Sequence, residues 1–199
     1  MMMIKRLFDL VASAAGLLLL APVFLVIAIA IKRESPGPVF FRQERVGLGG
    51  RTFRIHKFRT MVVSGEGRGP LITVGADRRI TSSGAFLRKY KLDELAQLID
   101  VFVGDMSLVG PRPEVPKYVA LYPEDVRAIV LSVRPGITDL ASIEYRHENA
   151  LLGNSQDPER TYVEEVMPAK LRYCVDYVRN RSLGLDLRII CRTVLAVFT

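Results

Sequence analysis

Two adjacent carboxylates, Asp93 and Glu94, stand near the middle of a 199-residue chain, with Arg88 ahead of them and Arg112 beyond, held between Pro111 and Pro113. Carboxylates among arginines suit chemistry on phosphate. A carboxylate with an ordinary pKa of about 4 is ionised at neutral pH and can attack phosphorus without a general base, while guanidinium groups neutralise phosphate oxygens. Because two anionic reactants repel, such an attack also calls for Mg²⁺ near the carboxylates. The plain alternative is that Asp93 and Glu94 only occupy a helix first turn, where free amides and the helix dipole favour acidic residues.

The remaining inventory narrows the chemistry. The two histidines, His56 and His147, are far apart, and no HExxH, CxxC or GxSxG pattern is present. Zinc hydrolysis and a serine triad are thereby disfavoured. Residues 64–70 form a glycine-rich polar stretch, expected to be a mobile loop, and lack the GKS or GKT of a P-loop. Cys174 and Cys191 do not make a disulfide framework.

Leu92, Leu95, Leu98, Ile99 and Phe102 recur at helical spacing, so a helix is predicted from Leu92 with Asp93 and Glu94 in its first turn. The 104–107 and 110–113 stretches read as turns, and the flanking prolines leave Arg112 little backbone freedom, as a rigid phosphate clamp requires. Residues 39–41 read as a strand and 52–61 as a strand or extended edge, with Arg54, Lys57 and Arg59 predicted on a wet cationic face. Turns are also expected at 77–84 and at 133–138, the latter carrying Arg134. Short helices are expected at 116–122 and 123–131, and longer ones at 158–178 and 183–198. The last is amphipathic, with Arg188 and Arg192 on its polar side, and suits either the headgroup layer or the protein core. Arg146 and His147 fall in a mixed stretch at 141–152.

The chain carries a net charge of +7, so its basic surface meets something anionic: nucleic acid, lipid headgroups or a phosphorylated substrate. Residues 10–31 hold no charge and are long enough for a membrane helix. Pro22 near the middle predicts a bend, and each arm would be roughly 15 Å, about half of a ~30 Å hydrocarbon core. Lys5 and Arg6 before the run are matched by Lys32 and Arg33 after it, so charge gives no direction of crossing. A spanning helix and a re-entrant hairpin remain equal readings, ahead of a signal peptide.

Six blocks in order resemble the monotopic phosphoglycosyl transferases, the small bacterial sugar transferases: Lys5-Arg6 with Asp9, SPGPVFFRQERVG at 35–47, FRIHKFRTM at 53–61, LRKYKLDELAQL at 87–98, GDMSLVGPRPE at 104–114 and VRPGIT at 133–138. The resemblance implies transfer of a phospho-sugar from a UDP-sugar to a polyprenyl phosphate such as undecaprenyl phosphate, yielding a polyprenyl diphosphosugar and UMP. It implies Asp93 as the nucleophile that forms an aspartyl phosphosugar, and Asp93 with Glu94 as the Mg²⁺ site. Arg88, Arg112, Arg146, Lys57 and Arg59 become the substrate contacts, and Lys5, Arg6 and Pro22 the membrane residues. The implied architecture is α+β and mainly helical. A re-entrant helix broken at Pro22 occupies residues 1–33, and a compact catalytic domain with short strands and interfacial amphipathic helices occupies 34–199, on the cytoplasmic face of the bacterial inner membrane. The implied partners are UDP-sugar, polyprenyl phosphate and membrane lipid, with no nucleic acid; a homodimer stays open.

The chain departs from the family pattern at Ala21, where serine precedes the proline, at Ala96 and Asp100, and at 139–142, where Gly-Trp-Ala-Gln is usual. Two other readings stay in play. A metal-dependent phosphohydrolase would turn the same carboxylates on water, and a membrane-tethered adaptor would use only the basic face.

Overall fold

The structure, a computed structural model, describes residues 2–62, 77 and 79–198; the glycine-rich stretch expected as a mobile loop at 64–70 lies outside them. Helix α1 (Met2–Glu34) runs without interruption through Pro22. The break expected there is therefore absent from the helix itself. A proline removes one backbone hydrogen bond, and the turns on either side sustain the helix in an apolar sequence.

Both ends of α1 are fastened to the rest of the chain. Near its start, Lys5 Nζ lies 2.5 Å from Asp186 Oδ2. Arg6 donates to the carbonyls of Val101 and Phe102 at 2.6 and 2.9 Å. Asp9, 2 % exposed, accepts from Ser107 Oγ at 2.8 Å and from the Leu108 amide at 3.2 Å. Near its end, Phe24 meets Phe58 edge to face at 5.0 Å, and Ile27 and Ile31 share a core with Phe58, Leu87 and Ala96. Glu34 accepts from the Ser83 amide at 2.9 Å. Between these fastenings Leu18 and Leu19 are each 78 % exposed, an apolar surface that water disfavours.

Strands β1 (Phe40–Val46) and β2 (Thr52–Phe58) form an antiparallel hairpin from Phe40↔Phe58 to Val46↔Thr52. Next come α2 (Ser82–Lys89), N-capped by Thr81, a 3₁₀ helix Leu92–Gln97 and α3 (Leu98–Val103). The single helix expected from Leu92 is thus split in two, and α2 starts inside the stretch expected as a turn. Strand β3 (Ser107–Val109) pairs in parallel with β4 (Gly136–Thr138). Strand β4 falls inside the turn expected at 133–138, and β3 shares only Ser107 with the turn expected at 104–107: three-residue strands have no periodicity to read, and only their long-range partner makes them strands.

The rest is helical. Between the two strands lie α4 (Pro116–Val119) and α5 (Glu124–Val130); after them come α6 (Leu140–Glu144), α7 (Glu148–Gly153), α8 (Pro158–Thr161), α9 (Met167–Asn180) and α10 (Leu183–Phe198). A π turn at Tyr162–Val166 joins α8 to α9. The apolar side of α9 packs with Val115, Tyr118, Val130 and Tyr162. Helix α10 buries Asp186 and Ile189 but leaves Leu187 and Val194 half exposed, so it is a core helix on one side and an apolar surface on another.

The β3–β4 pair fixes the loop that carries Arg112, and it tolerates no side chain at one point. A Cβ on Gly136 would stand 2.1 Å from the Gly110 amide nitrogen. Gly136→Ala is expected to cost about 3 kcal/mol by forcing these backbones apart, read as a lowered thermal midpoint of the detergent-solubilised protein.

Candidate active site

The carboxylates are aimed by an unusual backbone. Lys91 adopts φ 55°, the left-handed region, and is the only non-glycine residue to do so among the described residues. That conformation costs an L-residue about 1 kcal/mol or more. It turns the chain sharply between α2 and the 3₁₀ helix, bringing Asp93 and Glu94 onto the first turn of the latter. Both sit in that first turn, as the plain helix-terminus reading expects, and Glu94 also has charged partners from two other elements.

Glu94 is held by two cations from two other elements. Lys57 Nζ on β2 lies 2.8 Å from Oε1. Arg112 approaches as a fork, with Nη1 3.0 Å from Oε2 and Nη2 on Oε1. Such a two-point match fixes orientation as well as charge. Asp93 is only 9 % exposed, and its Oδ1 is buried without a hydrogen-bond partner among the described residues. A buried acceptor left open costs about 1–3 kcal/mol, so this oxygen is kept ready for something that binds.

The electrostatics separate the pair. Burial and the neighbouring Glu94 charge push the Asp93 carboxyl up, against the pull of Lys57, Lys91 and Arg88. Glu94 is opposed by burial, yet Arg112 and Lys57 hold it well below the usual glutamate range. Burial lowers the Lys57 ammonium against the attraction of Glu94, and Glu94 raises Arg112 against burial. Cations outnumber carboxylates around the pair, as a site for a diphosphate requires.

The other sequence-predicted contacts divide. Arg88, whose charge acts on Asp93, is steadied by Thr60 Oγ1 at 2.8 Å and belongs to the site. Lys57 belongs to it too, although it is largely buried and not on the wet face expected. Arg59 does not reach the carboxylates: it is 4 % exposed and its guanidinium donates to the carbonyls of Ser35 at 2.8 Å, Ile31 at 3.5 Å and Pro36. The Ile31 carbonyl also accepts the Ser35 amide at 3.3 Å, and those of Ser35 and Pro36 lie just past the end of α1. Lys57 and Arg59 share the strand face of Phe53 and Ile55, and that parity turns them inward. Arg59→Ala is expected to lower stability by on the order of 3 kcal/mol, with Arg59→Lys intermediate, measured by thermal unfolding. Arg146 is exposed and donates to the adjacent His147 ring at 3.1 Å. No described contact joins it to the carboxylates.

Mg²⁺ tends to take one or two carboxylates and complete its shell with water and substrate phosphates. Among the described residues no group of three or more His, Cys, Asp or Glu side chains converges. The open Asp93 oxygen nevertheless fits an ion of that kind, with Glu94 adjacent but occupied by Lys57 and Arg112.

The bacterial sugar transferase family pattern matches residues 1–199, the whole chain. The chain belongs to the bacterial sugar transferase family. It is 37 % identical over 198 residues to the UDP-N-acetylgalactosamine-undecaprenyl-phosphate N-acetylgalactosaminephosphotransferase of Aeromonas hydrophila, covering 98 % of this chain and 44 % of that protein. With the UDP-glucose:undecaprenyl-phosphate glucose-1-phosphate transferase of Caulobacter vibrioides it shares 39 % over 206 residues, 98 % of this chain and 70 % of that one. The exopolysaccharide production protein PSS of Rhizobium leguminosarum is 38 % identical over 212 residues, 100 % and 96 % of the two lengths. The chain thus spans less than half of the Aeromonas protein and nearly all of the Rhizobium one.

In this bacterial sugar transferase several residues that support the site were not singled out by residue type and spacing. Asp139 accepts the Arg112 amide at 3.1 Å and the Ser142 amide at 2.6 Å, so the stretch that departs from the family pattern steadies the arginine loop. Glu114 takes Arg45 at 3.0 Å and the Tyr162 hydroxyl, and Arg45 also holds the Pro113 carbonyl at 3.1 Å. His56 Nδ1 lies 2.6 Å from Asp100, bracing β2 against α3. The available signal was a charged residue inside a short ordered block, as for Glu114, or a lone acid at the edge of an apolar run, as for Asp9.

Proposed function

We propose that the chain transfers a phospho-sugar from a UDP-sugar to a polyprenyl phosphate, the reaction named for its relatives. The observation that carries this reading is Asp93, a buried carboxylate with an open oxygen in a cationic surround, beside a glutamate locked by Lys57 and Arg112. An Asp93 oxygen attacks the β-phosphorus of the UDP-sugar, and the bond to the bridging oxygen breaks. UMP leaves with that electron pair, and an aspartyl phosphosugar remains. A phosphate oxygen of the lipid then attacks the same phosphorus, and the carboxylate is restored. Neither step needs a proton transfer at the nucleophile, and among the described residues no histidine contacts Asp93 or Glu94. Arg112, Arg88 and Lys57 neutralise and orient the phosphates. Mg²⁺, held at Asp93 with Glu94 beside it, would add positive charge against the diphosphate.

The membrane reading rests on α1. Its most apolar 18-residue stretch has a mean hydropathy of 2.8, which suits lipid, and contacts near both its ends meet the same catalytic unit. A helix that crossed the bilayer would leave one end on the other side. Both ends therefore lie on one face, in our reading the cytoplasmic face of a bacterial inner membrane, where a soluble nucleotide and a lipid phosphate can meet. The half-exposed Leu187 and Val194 of α10 add an apolar surface for the headgroup layer. Thiol labelling of single cysteines placed before Lys5 and after Arg33 in membrane vesicles is expected to mark both from the same side; opposite sides would remove the one-face reading.

The reaction is tested with a panel of UDP-sugars assayed for UMP, with and without undecaprenyl phosphate. The expected result is UMP release with lipid-linked product, and sustained turnover only when lipid is present. Turnover to free sugar phosphate without lipid would replace transfer with hydrolysis.

A further inference from the structure

Arg112 stands between two prolines, which have no N–H, so its amide is the single backbone donor from Pro111 to Pro113. The flanks of this loop have partners of their own. Gly110 donates to the Thr138 carbonyl at 3.1 Å, and the Pro111 carbonyl accepts from the Gly136 amide at 3.0 Å. Beyond Arg112, the Pro113 carbonyl accepts from Arg45 at 3.1 Å and the Glu114 carbonyl from the Val46 amide at 2.9 Å. At the centre the partner is a side chain: the Arg112 amide donates to Asp139 Oδ2 at 3.1 Å.

Asp139 is a fixed acceptor. It follows β4 directly, where Thr138 pairs with Val109, and on its other side Ile143 of α6 packs with Val109, Tyr177 and Ile189. Its Oδ1 caps α6 by accepting the Ser142 amide at 2.6 Å, which leaves Oδ2 for Arg112. Capping alone does not account for an aspartate here. Serine caps a helix about as well, whereas a carboxylate only 3 % exposed takes a charge out of water. Among the described residues no Lys or Arg side chain bonds to it; its remaining contact is the Cys174 thiol, 3.9 Å from Oδ2. The charge does reach Arg112. Glu94 first, and with it Asp139 and Glu114, favours the charged guanidinium against burial.

Arg112 is therefore gripped at both ends, its guanidinium by Glu94 and its amide by Asp139. An arginine has many rotamers to lose on ordering. Fixing the root of the side chain narrows the places its tip reaches, which is what a supporting residue contributes to a preorganised site. A displacement of about 1 Å at an orienting group costs on the order of 10²-fold in rate. Asp139 also opens the stretch in which this chain departs from its family pattern; the glycine usual there has no side chain to accept the amide. We propose that Asp139 is a positioning residue for the reaction: it holds the Arg112 backbone so that the guanidinium stays on Glu94 and meets the diphosphate of the donor at a fixed place. The inference rests on the transfer reaction proposed above.

Asp139→Ser in the full-length protein separates the two bonds, because one hydroxyl oxygen caps α6 and no second oxygen is left for Arg112. The kcat/KM for UDP-sugar is expected to fall about tenfold to a hundredfold. In the Arg112→Met background the same substitution is expected to change kcat/KM by less than about twofold, since it acts through an arginine that is no longer there. A merely structural residue would lower both backgrounds alike. Asp139→Asn keeps the volume but turns an NH₂ group on one of the two amides, and is expected to show the same non-additivity should the serine variant not fold. Thermal unfolding gives a readout free of activity: the coupling between Glu94→Gln and Arg112→Met is expected to shrink to roughly half or less once Asp139→Ser is added. Equal losses of kcat/KM in both backgrounds, or an unchanged thermal coupling, would overturn the assignment. A parent protein that yields no UMP would remove the transfer reaction, and the thermal coupling alone would then decide whether Asp139 holds Arg112.

Discussion

Asp93→Asn is expected to reduce transfer by a factor on the order of 10⁴ or more, as removal of a nucleophile does, while leaving the protein at least as stable. The amide keeps the shape of the carboxylate and loses the negative charge that burial and Glu94 disfavour at this position. The Asp93 oxygen that lacks a partner among the described residues contributes no bond whose loss would weaken the fold. Three readouts separate the possibilities: UMP release, retention of label from a UDP-[sugar-¹⁴C] donor on the denatured protein, and the thermal midpoint. Label that survives the substitution would remove Asp93 as the attacking group. A collapsed midpoint would make it a structural residue.

Glu94→Gln acts in the opposite way. The side chain answers both Lys57 and Arg112, so neutralising it leaves two cations without their counter-charge. Breaking a buried ion pair costs about 3–5 kcal/mol; with Arg112 31 % exposed, solvent screening brings the expected loss to roughly 2–3 kcal/mol. Because the Glu94 pKa is held well below its unfolded value, the stabilisation is fully present above the ordinary glutamate pKa of about 4.3. It is lost only as pH falls through the depressed value. The stability gap between the parent protein and Glu94→Gln should therefore be constant from pH 6 to 8 and narrow in acid, measured by denaturation without divalent ions. A gap that widened in acid would contradict the clamp. Transfer is expected to fall by about 10²–10³, the scale for loss of an aligned electrostatic group. The double variant Glu94→Gln with Arg112→Met should show coupling between the two sites.

What could be read from the sequence followed from range. The helix at 183–198, the hairpin strands and the two carboxylates beside Arg112 are local patterns, and each appears in the structure. The 3₁₀ segment was missed because its apolar spacing, Leu92, Leu95, Leu98, also fits an α-helix, and the left-handed Lys91 that starts it carries no signal in residue type. Strands β3 and β4 depend on a partner some thirty residues away. A cation in a basic strand looks solvated, which is why Arg59 is expected on a wet face; strand parity counted from Ile55 turns it inward. Arg112 was recognisable from its flanking prolines, but its hold on Glu94 was not, since a salt bridge between distant segments leaves no trace in spacing.

The way α1 is fastened also bears on how the protein can be handled. Ile27 and Ile31 share a core with Phe58, Leu87 and Ala96, and Asp9 fills the bonding needs of Ser107 and Leu108. The boundary expected near residue 33 does not divide one packing unit from another. A truncation made there to obtain a detergent-free fragment would strip one wall from the hydrophobic interior and expose the strands that carry Lys57 and lead to Arg112. Solubilisation strategies for this family member do better to shield the outward face of α1 than to delete it.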